Sequence, residues 1–264
     1  MPDELTLQFE NLVSDHDRAN NSIMKISPLL LPALVATWAT FMFMDFSFAA
    51  TPGSDTADST EYEGGKWESG KNGGKGFMGW NLVVSGVDGG VQIGDSSLAC
   101  AGINTDTGKA FGLYARGKGK KVDAYRSFDS ALEVGQSFSF ELSVNFRNGS
   151  KGFDLRRSGD EERIFNLNIG GDDYVVNAAT TGNGSIGSAY DSKTILTLIF
   201  TQKTPLGGTW KITRRGGVSS VSEGTYDGVP SGVKFYVIDT DVGPENELWI
   251  NRLTISSSGQ AKAP

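Results

Sequence analysis

The sequence predicts an all-β protein in which two antiparallel sheets pack face to face as a β-sandwich. Apolar and polar residues alternate in short segments, which is typical of strands with one buried face. All 35 glycines lie after residue 50, where they fit tight turns between strands. No convincing helical period occurs in the same part of the chain. Together these observations predict one continuous antiparallel sandwich.

The pattern is clearest from Gln136 to Ala178. Apolar and polar residues alternate from Phe138 to Phe146, and Asn148-Gly149 follows. Asn-Gly favours a type I′ turn, because both central residues of that turn need a positive φ. The spacing therefore predicts a hairpin in which Glu141 faces Arg156 and all the apolar side chains share one face.

Two further reversals, Ser158–Glu162 and Gly170–Asp173, extend this hairpin to a four-stranded meander. In the predicted register Leu167 lies opposite both Phe153 and Val176, so the apolar residues stay on one face.

The other face of the predicted meander is polar, and we interpret it as a ligand-binding surface. Its eight candidate residues are Glu141, Ser143, Asn145, Asp154, Arg156, Asn166, Asn168 and Asn177. Asparagine amides donate and accept hydrogen bonds and carboxylates accept them, which suits the neighbouring hydroxyl groups of sugars. A solvated outer face is the alternative interpretation.

The start of the chain resembles an export signal. Residues 1–23 are polar and acidic and are predicted to be an upstream extension. Residues 24–50 combine an apolar run with Ser47-Phe48-Ala49, the small-x-small pattern of a signal-peptidase site. We therefore predict a signal peptide, with an uncleaved membrane anchor as the alternative, and no membrane span after cleavage.

The rest of the chain divides by composition. Residues 51–63 contain little to bury and are predicted to be a flexible leader, residues 64–256 the sandwich and residues 257–264 a polar tail. Trp67, Phe77 and Trp80 stand among glycines, and we interpret them as core residues in preference to sugar-stacking ones.

Charge and residue usage exclude several functions. The formal net charge is −7, but residues 1–49 hold six acidic and two basic residues, which leaves 25 acidic and 22 basic residues. This balance argues against a nucleic-acid partner. His16 is the only histidine and Cys100 the only cysteine, so a processed protein has no Ser–His or Cys–His catalysis and no internal disulfide.

One acidic loop is a candidate calcium site. Asp239, Asp241, Glu245 and Glu247 lie close together in sequence, and oxygen ligands at this density suit Ca²⁺. The EF-hand template fails, because Ile250 occupies the place of its bidentate glutamate. A solvated acidic loop is the alternative, and no other cofactor is predicted.

Several segments carry a family resemblance. Ala110–Tyr114, Ala124–Phe128 and Asn246–Asn251, together with Trp80 and the glycine-rich segment before it, resemble the concanavalin-A-like jelly-roll modules of secreted bacterial proteins. The resemblance covers about Gly64 to Ser256. It implies glycan binding on the concave sheet and a location outside the cell, at the cell surface or in the periplasm.

Three function classes follow from these observations. The prediction is a secreted, non-catalytic module that binds a polysaccharide or a cell-surface glycan, with a structural or adhesive protein as the alternative. A glycoside hydrolase is less favoured, because the Glu-x-Asp-x-x-Glu signature of glucanases with this fold is absent. Glu141 and Asp154 are the nearest carboxylate pair, but Arg156 opposite Glu141 would hold Glu141 ionised, so no catalytic residue is assigned.

Overall fold

A computed structural model describes residues 51–145, 148–157, 162–170, 173–187 and 191–257. The predicted extension, the predicted signal peptide and the tail from residue 258 lie outside these residues, as do the turn positions 158–161 and 171–172. Within the described part of the chain, no helix has the length and apolar character needed to cross a membrane.

The described residues form fifteen β-strands and three short 3₁₀ helices. The strands are β1 Gly53–Asp55, β2 Asn81–Ser85, β3 Gly89–Gly94, β4 Ala110–Ala115, β5 Lys121–Ser127, β6 Ser137–Val144, β7 Ser150–Arg157, β8 Arg163–Gly170, β9 Asp173–Asn177, β10 Gly184–Ser185, β11 Ile195–Thr204, β12 Gly207–Arg215, β13 Ser220–Asp227, β14 Pro230–Ile238 and β15 Leu248–Ser256. The 3₁₀ helices are Thr60–Gly65, Ser96–Leu98 and Pro244–Asn246.

These strands form two antiparallel sheets. Sheet I has the order β13-β12-β11-β6-β15-β4-β3, with β1 paired to β15, and sheet II has the order β10-β9-β8-β7-β14-β5-β2. The sheets pack through an aromatic core, in which the Phe153 ring of sheet II lies 4.9 Å from the Phe140 ring and 5.8 Å from the Phe200 ring of sheet I, measured between centroids. The predicted antiparallel β-sandwich is confirmed.

The predicted register of the local hairpins is also confirmed. Leu167 lies opposite both Phe153 and Val176 across β7, β8 and β9. In the later hairpin of β11 and β12, Phe200 lies opposite Trp210. These pairs keep the apolar side chains on the face that meets the other sheet.

The predicted hairpin between β6 and β7 is wrong. β6 pairs with β11 and β15 in sheet I, whereas β7 pairs with β8 and β14 in sheet II. Glu141 therefore lies opposite Thr197 and Asn251 and not opposite Arg156. The physical reason is that alternation decides which face of a strand is buried but does not decide which strands pair with it. The two strands bury their apolar faces against each other across the core.

The predicted leader is part of the sandwich. Strand β1 pairs with β15, and Asp55, Ala57 and Tyr62 are buried. The prediction failed because it considered only apolar content, whereas this segment is held in the core largely through polar groups.

The most deeply buried of these polar groups form an ion pair between the two sheets. Asp55 on β1 lies 2.6 Å from the guanidinium of Arg126 on β5, and both side chains are fully buried. Tyr62 donates a hydrogen bond to Asp55 at 3.0 Å, Trp80 donates to the Tyr62 hydroxyl at 3.0 Å, and the Arg126 guanidinium lies 4.9 Å from the Trp80 ring. Burial raises the pKa of Asp55, and the Arg126 charge opposes this shift.

We expect Asp55→Asn to lower the free energy of unfolding by about 3–5 kcal/mol, because it leaves the Arg126 charge buried without a counter-charge. Urea denaturation at neutral pH measures this loss. The control is Glu61→Gln, which removes the same charge from an exposed position of the same segment. A loss no larger than that of the control would show that the ion pair is unimportant for stability.

A lysine is also buried in the sandwich. Lys151 points to the inner face of β7, between Ile169 and Val237, and its ammonium donates to the carbonyl of Asn148. Burial lowers the pKa of Lys151 to about 7, although the charge of Asp241 acts in the opposite direction. Between this value and the ordinary 10.5, the unfolded chain binds a proton that the folded chain does not.

The contribution of Lys151 to stability therefore rises with pH between about 7 and 10.5. We expect Lys151→Met to be more stable than the wild type at pH 7 and the difference to shrink as the pH increases, by up to roughly 1.4 kcal/mol per pH unit. Parallel urea denaturation of both proteins across this range measures the difference. If the difference in unfolding free energy between the two proteins does not change with pH, the lowered pKa of Lys151 is contradicted.

Candidate functional site

The outer face of sheet I is largely covered near β15. Residues 95–109 fold across it, and the Trp249 side chain packs there with Ala99, Ile103 and Ala110. The Asn251 amide donates to the carbonyls of Ile103 and Lys109, both at 2.9 Å. These two hydrogen bonds hold residues 95–109 against β15.

Three of the predicted ligand-binding residues lie on this covered side of the molecule. Glu141 is bound by Arg215 and Arg252, Ser143 donates to the carbonyl of Thr194, and Asn145 donates to the carbonyl of Ala99. The structure therefore separates Glu141, Ser143 and Asn145 from the other candidates by the full thickness of the sandwich. Their polar groups serve contacts within sheet I and with the segment that covers it.

The other five candidates share the outer face of sheet II. A transverse row of six side chains crosses sheet II from β9 through β8, β7, β14 and β5 to β2. In that order the residues are Asn177, Asn166, Asp154, Lys234, Tyr125 and Asn81. Lys234 takes the place predicted for Ser143, because β14 and not β6 is the neighbour of β7. The alternation within β14 places Lys234 and Tyr236 on a polar face. No local signal in the sequence, however, shows that β14 lies beside β7.

A surface hollow of about 360 Å³ opens on this face, and we name it the first hollow. Its lining residues are Lys121, Asp123, Ser150, Asp154, Arg163, Asn166, Asn168, Asn177, Lys234, Tyr236 and Ile238.

Hydrogen bonds hold the side chains of the first hollow in place. The Lys234 ammonium lies 2.6 Å from Asp154 Oδ2, and the Asn166 amide donates to Asp154 Oδ1 and to the Tyr236 hydroxyl, both at 2.9 Å. Asn168 Oδ1 accepts from Tyr236 at 3.1 Å and from Ser150 at 2.6 Å. Because its oxygen is used in this way, the Asn168 side chain can offer its amide N–H groups to a ligand.

Gly152 makes the bond between Tyr236 and Asn168 possible. It lies between them in the register, on β7, with a φ of 151°. A Cβ atom at this position would lie 1.9 Å from the carbonyl oxygen of Leu167 and 3.1 Å from the Tyr236 hydroxyl. Because residue 152 has no side chain, Tyr236 of β14 can donate to Asn168 of β8 across β7, which lies between these two strands.

Asp123 supplies a hydrogen-bond acceptor without a partner. Its side chain is buried and Oδ2 lies 2.8 Å from the Lys121 ammonium, but Oδ1 accepts no hydrogen bond from any described residue. An unpaired buried oxygen is costly and is normally satisfied by water or by a ligand.

Burial also raises the pKa of Tyr236 to about 12, so its hydroxyl stays protonated at neutral pH.

Arg156, the remaining candidate, lies beside the first hollow. Its guanidinium carbon is 5.6 Å from the centroid of the Tyr125 ring. Both residues line an adjacent hollow of about 550 Å³ on the same face, which we name the second hollow. Trp67, Phe77 and Trp80 are buried, as predicted, so they are core residues and leave Tyr125 as an aromatic residue of this surface.

The acidic loop does not bring its four carboxylates together. Asp239 accepts from the Lys120 amide at 3.1 Å and Asp241 from the Asn148 side chain at 2.8 Å. Glu247 is buried, bound by Arg116 at 2.9 Å and by Gln92 at 2.7 Å, and burial raises its pKa against the effect of Arg116.

Glu245 accepts a weak contact from Asn246 at 3.5 Å. Among the residues that the structure describes, no group of three or more acidic, histidine or cysteine side chains could hold a metal ion. Calcium binding by this loop stays a prediction, and any ion would require new side-chain positions.

Comparison with known proteins shows similarity only to solved structures. No family model matches, and no curated protein matches. One similar structure comes from work on endo-acting O-glycanases that members of the human gut microbiota express to initiate mucin breakdown; it is 12% identical, with a TM-score of 0.44 over 77% of this chain and 98% of that chain.

Two other similar structures have lower scores. The K1 cleaved adhesin domain of Lys-gingipain from Porphyromonas gingivalis W83 is 14% identical, with a TM-score of 0.37 over 79% of this chain and 99% of that chain. The receptor-binding domain of botulinum neurotoxin type G is 14% identical, with a TM-score of 0.37 over 79% of this chain and 47% of that chain. These values assign no function, and the concanavalin-A-like family stays a resemblance.

Proposed function

We propose that this protein is a non-catalytic carbohydrate-binding module whose ligand occupies the first hollow. The observation that carries the proposal is a rigid polar surface that combines the donor amide of Asn168 with the side-chain oxygen of the exposed Asn177, whose own amide donates to Asn166. A sugar hydroxyl donates and accepts at once, so it fits a surface that presents both groups. Because strands and hydrogen bonds already hold these side chains, binding costs little side-chain entropy.

The arrangement of carboxylates supports binding over hydrolysis. Glu141 and Asp154, the pair considered from the sequence, lie on opposite sheets, so they cannot act on one glycosidic bond. The two carboxylates of the first hollow each have an ammonium group nearby, Lys121 at 2.8 Å from Asp123 and Lys234 at 2.6 Å from Asp154. Both carboxylates are therefore engaged in ion pairs, whereas a general acid must be able to transfer a proton to the leaving group.

The strand edges support binding over self-association. Along β2, the Leu82 amide donates to Ser69 Oγ at 2.9 Å, and the segment Ser69–Lys71 exchanges hydrogen bonds with Trp80. At the edge of sheet I, the Thr180 amide donates to the carbonyl of Thr225 at 2.8 Å. These contacts occupy backbone groups that another copy of the chain would need for strand addition.

The test begins with a glycan array of the full chain, followed by retention on a polysaccharide that it binds. We expect Asn168→Ala combined with Asn177→Ala to weaken retention by about 2 kcal/mol, at roughly 1 kcal/mol for each neutral hydrogen bond. These positions are better probes than Asp154 and Asn166, which are only 4% exposed and support their neighbours.

The matched control is Glu141→Gln on the opposite sheet. This substitution removes the negative charge that Arg215 and Arg252 bind, so it weakens both bonds. We therefore expect a lower melting temperature and unchanged retention on the polysaccharide. Retention of the double variant equal to that of the wild type would rule out the first hollow as the site.

We also propose that the protein is exported and acts outside the cell, at the cell surface or in the periplasm. The apolar segment within residues 24–50 and Ser47-Phe48-Ala49 support this proposal. We expect mass spectrometry of the natural product to show an N-terminus near Thr51, just before β1. A natural product that keeps Met1 or Met24 would contradict export by this signal.

A further inference from the structure

The lining of the first hollow holds one more positive charge than negative charges. Its basic residues are Lys121, Arg163 and Lys234, and its acidic residues are Asp123 and Asp154. Lys121 lies 2.8 Å from Asp123, and Lys234 lies 2.6 Å from Asp154, so each carboxylate already has an ammonium partner. Arg163 is the remaining charge. Three basic against two acidic residues give this hollow a net charge of +1, in a chain with a formal net charge of −7.

The Arg163 guanidinium is available to a ligand. It lies 3.8 Å from Asp154 Oδ1, which is longer than a hydrogen bond, and its side chain is 52% exposed. Both oxygens of Asp154 have closer partners, because Oδ1 accepts from Asn166 at 2.9 Å and Oδ2 lies 2.6 Å from the Lys234 ammonium. An exposed ion pair at such a distance contributes little to stability. An anion can therefore bind to Arg163 without disrupting the network around Asp154.

Amide groups lie near Arg163 in the same hollow. Asn166 is opposite Asp154 in the register, and the exposed Asn177 is opposite Asn166. The Asn177 amide donates to Asn166 at 3.3 Å, which leaves the Asn177 oxygen as an acceptor. Asn168 follows Asn166 on the same face of β8 at about 7 Å, and its amide is a donor. A sugar can therefore place hydroxyl groups on Asn168 and Asn177 while a charged substituent reaches Arg163.

We propose that the ligand of the first hollow is an acidic sugar, whose carboxylate or sulfate group binds to the Arg163 guanidinium. This inference rests on the proposed function and adds the charge of the ligand to it. A guanidinium offers parallel N–H donors in a planar fork, and these donors match two oxygens of a carboxylate or a sulfate. Arg163 therefore distinguishes an acidic sugar from its neutral counterpart.

The first experiment compares acidic glycans with uncharged glycans of the same backbone. The full chain is applied to an array that carries carboxylated glycans beside their methyl esters and sulfated glycans beside their desulfated forms. We expect the acidic member of a pair to bind more strongly, and we expect added salt to reduce the difference, because salt screens the charges. Preference among the carboxylated pairs identifies a carboxylate, preference among the sulfated pairs identifies a sulfate, and either result supports an acidic ligand.

Substitutions of Arg163 then test the residue itself. We expect Arg163→Gln to weaken binding to the preferred acidic glycan about tenfold or more, the usual effect of losing a hydrogen bond to a charged group, and to leave binding to the neutral counterpart unchanged. Arg163→Lys keeps the charge and loses the planar fork, so we expect an intermediate affinity. Lys211→Gln is the matched control, because it removes an exposed positive charge from sheet I. All three positions of change are exposed, so we expect the melting temperature of the wild type in each variant.

The outcomes separate this inference from the proposed function. If Arg163→Gln binds the acidic glycan as the wild type does, the role of Arg163 is overturned, and the Asn168 and Asn177 substitutions still decide whether the first hollow binds carbohydrate. Equal binding of the acidic and neutral members of every pair, or binding of neutral glycans alone, overturns the acidic ligand and leaves carbohydrate binding in place. Absence of binding to every glycan on the array overturns the proposed function together with this inference.

Discussion

The buried ion pair between Asp55 and Arg126 is the contact on which the start of the sandwich depends. It joins β1 of sheet I to β5 of sheet II, and both charges are out of contact with water. Two desolvated charges contribute little net stability, but an unpaired one is very costly. The chain before β2 therefore has one favourable position, in which Asp55 reaches Arg126 and Tyr62 and Trp80 complete the hydrogen bonds. The cost of separating these buried charges thus holds a polar segment in one position.

The two outer faces of the sandwich differ in what covers them. Residues 95–109 cover sheet I around Trp249, and Glu141 binds two arginines there. Sheet II has two hollows on its outer face, where Lys234 of β14 pairs with Asp154 of β7 and Lys121 pairs with Asp123 within β5. A network of this kind positions side chains at little entropic cost to a ligand. The candidate site lies on sheet II because residues 95–109 cover the outer face of sheet I near β15.

The candidate site depends on contacts between strands that are distant in sequence. Asp154 on β7 meets Lys234 on β14, and Tyr236 on β14 reaches Asn168 on β8 above Gly152. Each pair joins residues more than 60 positions apart. The polar surface of the first hollow therefore exists only when β14 lies between β7 and β5, so no single stretch of sequence carries a recognisable motif for it.

The sequence by itself determined where most strands after β1 lie, which side of each is buried and how adjacent strands such as β7, β8 and β9 pair. Alternation at a period of two and tight turns with glycine carry that information locally. The same rules placed Asp154, Asn166, Asn168 and Asn177 on one face, which the structure confirms. Only the tertiary structure decided that β6 belongs to the other sheet and that Lys234 and Tyr236 complete the candidate site. The physical reason is that alternation specifies a buried face, whereas the neighbour across that face or beside that strand is chosen by packing of the whole core.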